Sequence, residues 1–292
     1  MDEVEKIRSF NRTVTRRLGV LNERYLGRDR PLVESRLLFE IGDQGASVRG
    51  LRLRLGLDSG FASRLLRGLE RKKLVRTEPA GADGRVRIAR LTRAGLEELE
   101  RLNSLSDDLA RSMLAPLERK QALRLVAAMA EVDLLLCAAS IEFEESDPRS
   151  AETEGCLEKY YAELAVRFPH GFELHADDAP PAEVFLPPAG RMLIARLFGE
   201  PVGCGGIRTL DPGVGEIKRM WLSPRVRGLG LGRRLLAELE RTAAALKLRT
   251  VRLDTNGSLT EAIRLYHASG YRAIPRYNAN PYAQHWFEKS LS

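Results

Sequence analysis

Apolar positions in the first half of the chain recur at helical spacing. Val4, Ile7, Val14, Leu18 and Leu21 form an approximate stripe that predicts a helix over 2–26. Pro31 permits a new start, and 32–41 reads as a second helix, punctuated by Gly42 and Gly45. Ser47 is placed to cap a short helix over 48–55, and Asp58 to cap another that runs to about Lys73. In this last helix Ala62, Leu65, Leu66 and Leu69 fall at i, i+3, i+4 and i+7 and make one buried stripe. Small residues (Ser59, Gly60, Ser63) and the arginines Arg64, Arg67 and Arg71 take the other side. Strand-like runs at 74–79 and 85–92 flank the turn-rich Ala80-Gly81-Ala82-Asp83-Gly84, a hairpin with Arg85 and Arg87 on one face. Thr92 caps a long helix to about Leu109, and Pro116 opens another to about Ala139.

The acidic, Pro-containing run after Ser140 reads as a linker, 141–150, between an N-terminal domain, 1–140, and a C-terminal one, 151–292. In the second part a helix over 153–167 is followed by a Pro-rich loop, 177–188. Strands are expected at 191–198, 202–209 and 215–222, then a glycine loop, a helix over 230–246 and a strand at 250–254. A helix over 259–269 and short strands near 271–275 and 286–290 close the chain. The order is mixed α/β, with a strand–loop–helix–strand unit around the glycines.

Charge sharpens this division. The chain of 292 residues carries a net charge of +7, and all of the excess lies in 1–140, with 27 basic and 20 acidic residues. Between Val48 and Arg93 there are 13 basic residues and four acidic ones, which favours a polyanionic partner. The three cysteines, Cys137, Cys156 and Cys204, lack metal-ligand spacing and suggest thiols in a reducing cytoplasm; no metal is expected. The first residues show no apolar signal core, and the run Leu125–Ile141 is too short and too charged to span a bilayer. The expected location is cytoplasmic.

Two short helices joined by a tight turn, the second small and basic on its outer face, form a helix-turn-helix pattern. Small residues let the backbone approach base edges, and Arg64 and Arg67 can reach guanine edges or phosphates. With the basic hairpin as a wing, residues 30–100 resemble the winged-helix core of the MarR family of transcriptional regulators. The matching text is Leu55-Gly56-Leu57-Asp58, Ser63-Arg64-Leu65-Leu66, Leu69-Glu70-Arg71-Lys72-Lys73-Leu74, Asp83-Gly84-Arg85 and Leu91-Thr92-Arg93-Ala94-Gly95. The chain departs from the family at Lys73, where Gly often precedes the Leu. The resemblance implies binding of double-stranded DNA through Ser59, Gly60, Ser63, Arg64, Arg67, Arg85 and Arg87. It also implies a homodimer, held by the first and last two helices, on a pseudo-palindromic operator.

The glycine loop, Gly228, Gly230 and Gly232, opens a helix and so suits a phosphate. Its spacing is neither G-x-G-x-x-G nor a Walker loop. Arg-x-x-Gly-x-Gly over Arg227–Gly232 resembles the pyrophosphate motif of the GNAT family of acyl-CoA-dependent N-acyltransferases. The likeness extends over about 157–291, through Glu216–Pro224 and Leu265-Tyr266-His267-Ala268-Ser269-Gly270-Tyr271. It implies acetyl-CoA as cofactor. Met220, Trp221 and Leu222 would meet the pantetheine arm, with the Leu222 N–H on the thioester carbonyl. Arg227, Gly228, Leu229, Gly230, Leu231, Gly232 and Arg233 would hold the pyrophosphate, and Asn256 would touch the cofactor. Tyr266 matches the family's general acid and Glu216 its general base, against a plain salt bridge to Lys218 or Arg219. Asn278 and His285 are candidates for the acceptor pocket.

The resulting expectation has two domains: an N-terminal mostly α winged helix-turn-helix with long dimerisation helices, and a C-terminal α/β GNAT acyltransferase fold. Such a fusion is a transcriptional regulator joined to an acetyl-CoA-dependent N-acetyltransferase acting on a small amine or amino-acid-like acceptor. Two alternatives remain at this point: a transcription factor that senses acyl-CoA without turnover, and an acetyltransferase that keeps the winged helix as a dimerisation scaffold.

Overall fold

The computed structural model describes residues 2–20, 24–80, 86–169, 171–173 and 180–291. The chain divides into two units, 1–130 and 131–292.

The first unit begins with α1 (Glu3–Arg17), shorter than its apolar stripe suggests and opened by a capping box from Asp2 and Glu5. Then come α2 (Leu32–Ile41), β1 (Ala46–Ser47), α3 (Val48–Arg54) and α4 (Ser59–Arg71). The caps expected from sequence are present. Ser47 Oγ accepts from Gly50 N at 3.0 Å, and Asp58 Oδ1 from Phe61 N at 2.8 Å. A three-stranded sheet follows from β2 (Val75–Ala80) and β3 (Val86–Leu91), with β1 paired on the far side of β3. The β1 pairing was not anticipated, because two residues carry no periodicity.

Helix α5 (Arg93–Leu114) starts on Thr92, whose hydroxyl accepts from Gly95 N at 3.1 Å and donates to Lys73 O at 2.7 Å. Gly95 is required by proximity, since a Cβ there would lie 2.0 Å from the Leu74 carbonyl oxygen. The Leu-Thr-x-x-Gly text is thus the joint that seats α5 on the end of α4. Leu37, Leu38, Leu51, Leu66, Leu69 and Leu102 form the core under this joint.

Helix α6 (Arg119–Ala139) crosses from the first unit into the second. The next segment corrects the linker expectation. Residues 141–146 are β4 (Ile141–Ser146), paired antiparallel with β5 (Gly190–Leu197) from Ile141↔Leu197 to Ser146↔Met192. Ile141 and Phe143 face the core while Glu142 and Glu144 do not, so the acidic composition masked a strand.

The second unit continues with α7 (Ala151–Arg167), β6 (Glu200–Asp211), β7 (Val214–Leu222), α8 (Leu231–Ala245), β8 (Thr250–Thr255), α9 (Thr260–Ala268), β9 (Arg272–Ala273) and β10 (His285–Ser290). The sheet order is β4-β5-β6-β7-β8-β10-β9, with only β7 and β8 parallel. Alternation along the strands sorts two layers. Met192, Ile194, Cys204 and Trp221 pack with α7, while Leu193, Ala195, Val202 and Leu222 pack with Leu235, Leu236 and Leu239 of α8. The cysteines Cys156 and Cys204 are buried thiols within the α7 layer.

Candidate functional site

The sheet opens where its parallel pair ends. β7 and β8 are in register at Val214↔Thr250, Gly215↔Val251 and Glu216↔Arg252, and beyond this β7 pairs with β6 alone. A bulge bends β7 there: Cys204 faces Trp221 but Gly206 faces Lys218, and Arg219 between them takes φ 57°. From Ile217 onward the β8-side edge of β7 therefore has no strand neighbour among the described residues. Two cavities enter this opening from opposite sides and share Tyr160, Leu164, Met220, Leu259, Ala262 and Tyr266.

The larger cavity, about 440 Å³, is a groove lined by Met220, Trp221, Leu222, Arg227, Gly228, Gly230, Leu231, Gly232 and Arg233. Of the residues expected at the cofactor, only Leu229, packed against the core, and Asn256 do not line it. Gly230 serves as N-cap of α8 with φ 70°, and no side chain caps the helix. The N–H groups of its first turn are thus left for an anion. Asn256 lines the second cavity, where its amide donates to Tyr282 O at 2.8 Å and accepts from Ser258 N at 2.9 Å.

Groove electrostatics depend on a residue without a sequence signal. Glu163 of α7 accepts from Arg227 Nη1 and Nη2 at 2.8 and 2.5 Å and from Trp221 Nε1 at 2.8 Å. Arg227 Nε donates to Leu222 O at 2.8 Å. Burial works to raise the Glu163 carboxyl, but the donors Arg227, Trp221 and Arg167 outweigh it and hold the group below its usual range. Arg167 continues the chain to Glu261 of α9 at 2.7 Å.

Tyr266 stands at the neck between the cavities. It is buried, and its hydroxyl makes no hydrogen bond among the described residues. Burial, and then the charge of Asp254, raise its phenol well above the ordinary value. The Leu-Tyr-x-x-x-Gly-aromatic text explains its placement. Gly270, φ 86°, ends α9; Gly270 N donates to His267 O at 3.1 Å and Tyr271 N to Tyr266 O at 3.0 Å. This is a Schellman closure, and it fixes Tyr266 in the last turn with Tyr271 packed at 5.9 Å between ring centroids.

Glu216 does not take the place expected of a base. It lines neither cavity, is fully buried, and is bound on both oxygens. Its cross-strand partner Arg208 donates from Nε at 2.7 Å and lies at 2.6 Å through Nη2. Tyr277 Oη donates at 2.9 Å, Asn278 Nδ2 at 3.1 Å, and Lys218 Nζ lies at 3.4 Å. This is the salt-bridge alternative, with Arg208 as the main partner. Asn278 is likewise occupied, between Glu216, Asp254 and Trp286, and His285 is exposed at the start of β10; neither lines either of the two cavities. The second cavity, about 150 Å³, is lined instead by Tyr160, Tyr161, Phe168, Phe172, Asp254 and Tyr282, among others.

In the first unit Ser59, Gly60, Ser63, Arg64 and Arg67 share the exposed face of α4, and Arg87 is exposed on β3. Arg85 and the wing tip lie outside the described residues. Many neighbouring arginines are tied to carboxylates, Arg54 to Glu40, Arg90 to Glu78 and Arg28 to Glu98. Arg64 and Arg67 instead lie over Phe61 and against Ser63 O. No helix of the described residues is long and apolar enough to cross a membrane.

Comparison with known proteins finds two family matches in the chain. The acetyltransferase (GNAT) family model matches residues 157–271, and a MarR family model matches residues 28–86. An uncharacterized N-acetyltransferase of Schizosaccharomyces pombe is 36% identical over 105 residues, 35% of this chain and 64% of that protein. An IAA acetyltransferase of Azospirillum brasilense is 42% identical over 82 residues, 28% of this chain and 54% of that protein. The chain thus spans between 54 and 64% of these relatives' lengths. A GNAT-family acetyltransferase structure from Elizabethkingia anophelis, with acetyl-CoA bound, is 16% identical, with TM-score 0.39, covering 52% of this chain and 99% of that one. The chain carries a MarR-family domain at residues 28–86 and, in its C-terminal half, a GNAT-family acetyltransferase domain at residues 157–271.

Proposed function

We propose that the C-terminal half, residues 151–292, is an N-acetyltransferase that uses acetyl-CoA and a small amine. We further propose that the N-terminal half, residues 1–140, binds double-stranded DNA as a homodimer. The observation that carries the enzymatic reading is the meeting of two cavities at Met220 and Tyr266, where β7 and β8 part.

The groove suits an acyl-CoA on its own residues. The uncapped first turn of α8, Arg227 and Arg233 suit a pyrophosphate, and the unpaired edge of β7 from Met220 to Leu222 suits the amides of a pantetheine arm. Acetyl-CoA, when bound, supplies an activated acyl group and a thiolate leaving group. Leu222 is the residue whose N–H would polarise the acyl carbonyl. Tyr266 keeps its proton far into the alkaline range and is positioned to deliver it at the neck. Apolar walls from Leu164, Met220, Leu259 and Ala262 limit water there. Because Glu216 is bound on both oxygens, we assign it the role of holding Arg208 and Tyr277 rather than moving a proton.

For the regulatory half, the exposed arginines of α4 supply positive charge without a carboxylate partner among the described residues. α1 exposes Val4, Ile7 and Phe10, and α6 exposes Leu123, Val126 and Leu135, apolar side chains that suit a second copy of the chain. The deciding experiment is release of the CoA thiol from acetyl-CoA by the full chain with a panel of amines. Amine-dependent release supports the enzyme. Tight acetyl-CoA binding without release with any amine favours an acyl-CoA sensor and overturns it.

A further inference from the structure

The walls of the second cavity specify an acceptor. Its rings pack on one another. Phe172 and Tyr282 lie 4.8 Å apart between centroids, Tyr161 stacks on Phe172 at 5.7 Å, and Phe168 meets Phe172 edge-on at 5.7 Å. Rings that engage each other form a wall, not a cage closed around a point charge. The wall is pinned in advance. Tyr282 Oη accepts from Glu173 N at 3.1 Å and donates to Glu173 O at 2.9 Å, and Tyr282 O accepts from Asn256 at 2.8 Å. Asn256, expected at the cofactor, instead holds this ring in place.

A single nearly buried carboxylate lines the same cavity among the described residues. Asp254 is the penultimate residue of β8, its side chain 5% exposed. Oδ2 accepts from Lys218 at 2.6 Å and from Asn278, while among the described residues Oδ1 accepts only from Asn280, at 3.0 Å. A carboxylate oxygen takes two donors, so Oδ1 keeps one lone pair. The lining cations are already engaged. Lys218 lies between Asp254 and Glu216, and Arg219 sits 4.7 Å over the Phe185 ring and donates to Pro180 O.

We propose that the acceptor is a primary amine carried on an aromatic body, its ammonium docked on Asp254 and its ring laid against Phe172 and Tyr282. The need for an amine rests on the acetyl-transfer reading; the ring and the anchor rest on the wall and on Asp254. An acidic acceptor would bring a second carboxylate to Asp254, and a polyamine would press further ammonium groups against apolar rings without a buried counter-charge. Arylalkylamines and aromatic amino acids share the chemistry that is recognised, and they differ by a carboxylate.

The test is calorimetric binding of phenethylamine, phenylalanine, spermidine and glutamate to the full chain saturated with CoA. Phenethylamine or phenylalanine is expected to bind at least about tenfold tighter than spermidine or glutamate. Comparison of the first two shows whether the carboxylate is accepted. Asp254→Asn should weaken the aromatic amine by about tenfold or more while CoA affinity stays unchanged. Phe172→Leu, which keeps an apolar wall, should weaken it several-fold, and it serves if Asp254→Asn does not fold. Equal binding of spermidine or glutamate, or no effect of either substitution, overturns the proposal. Thiol release measured alongside separates the two readings. Turnover of a non-aromatic amine alone sinks this inference and leaves acetyl transfer standing. Aromatic-amine binding without release does the reverse.

Discussion

Glu163 neutralises Arg227 in the groove beside the first turn of α8, taking both terminal nitrogens at 2.8 and 2.5 Å. An incoming pyrophosphate must share that guanidinium with the carboxylate. Removing the negative charge while keeping the shape should therefore favour the anion. Glu163→Gln is expected to tighten CoA binding by about threefold to tenfold at low salt, with the gain shrinking as salt rises. Arg227→Ala should weaken binding by about tenfold. Titration calorimetry at two ionic strengths reads both. Weaker binding in Glu163→Gln would mean that the carboxylate acts by aiming Arg227.

The same pair makes stability depend on pH. The Glu163 carboxyl is depressed in the folded chain, so its contribution is present above the unfolded value, about 4.3, and is lost as pH falls through the lower folded value. Wild type should melt higher than Glu163→Gln at pH 7, and the gap between the two should close as pH falls below the unfolded value and through the depressed folded one.

Tyr266 is raised by burial and then by Asp254, so it remains a phenol wherever the acceptor amine titrates. The rate should rise with pH as the amine loses its proton, with no falling limb from Tyr266 below about pH 10. Tyr266→Phe should lower kcat by about a hundredfold or more with little change in KM for acetyl-CoA. An unchanged kcat would leave Tyr266 a space-filling role only.

Much of this site could be read locally, because its motifs are local devices. Arg227 to Gly232 is a helix start, and Leu265 to Tyr271 is a helix end closed on Gly270. Ser47, Asp58 and Thr92 cap the helices they precede for the same reason. What was misread depends on partners distant in sequence. Glu216 owes its role to Arg208 on the next strand, and Asn278 and Asn256 are consumed by Asp254 and Tyr282. Glu163 shows only as a polar position on α7 until the fold brings Arg227 to it. In 141–146 the alternation was present, but its acidic residues outweighed two apolar ones in a reading by composition.

Lys73 follows the C-cap of α4 with φ 58°, while Lys73 N donates to Glu70 O at 2.9 Å and Leu74 N to Leu69 O at 3.0 Å. This is again a Schellman closure, and it needs a left-handed residue. The position is where MarR-like sequences often place Gly, and here a lysine bears the strain. Relief of about 1–2 kcal/mol should exceed the entropy that Gly adds to the unfolded chain, about 0.4–1 kcal/mol. Lys73→Gly is expected to stabilise the first unit by up to about 1 kcal/mol, read from denaturant unfolding. A loss of stability would show that the lysine side chain contributes more than its backbone costs.

Unlike Arg28, Arg54 and Arg90, Arg64 and Arg67 have solvent, Phe61 or a helix carbonyl as neighbours, with no carboxylate partner among the described residues. Replacing them should cost little stability, because no ion pair is broken. It should cost DNA affinity in a way that tells their roles apart. If an arginine contacts phosphate, its alanine variant weakens binding to all duplexes alike and lowers the salt dependence by about one unit of slope. If it reads a base edge, the loss is about 1–3 kcal/mol on the preferred sequence and small on competitor DNA. Fluorescence anisotropy with specific and random duplexes over a salt series gives both slopes. No change in either would leave the winged helix as a dimerisation scaffold, with its exposed arginines serving only as a solvated face.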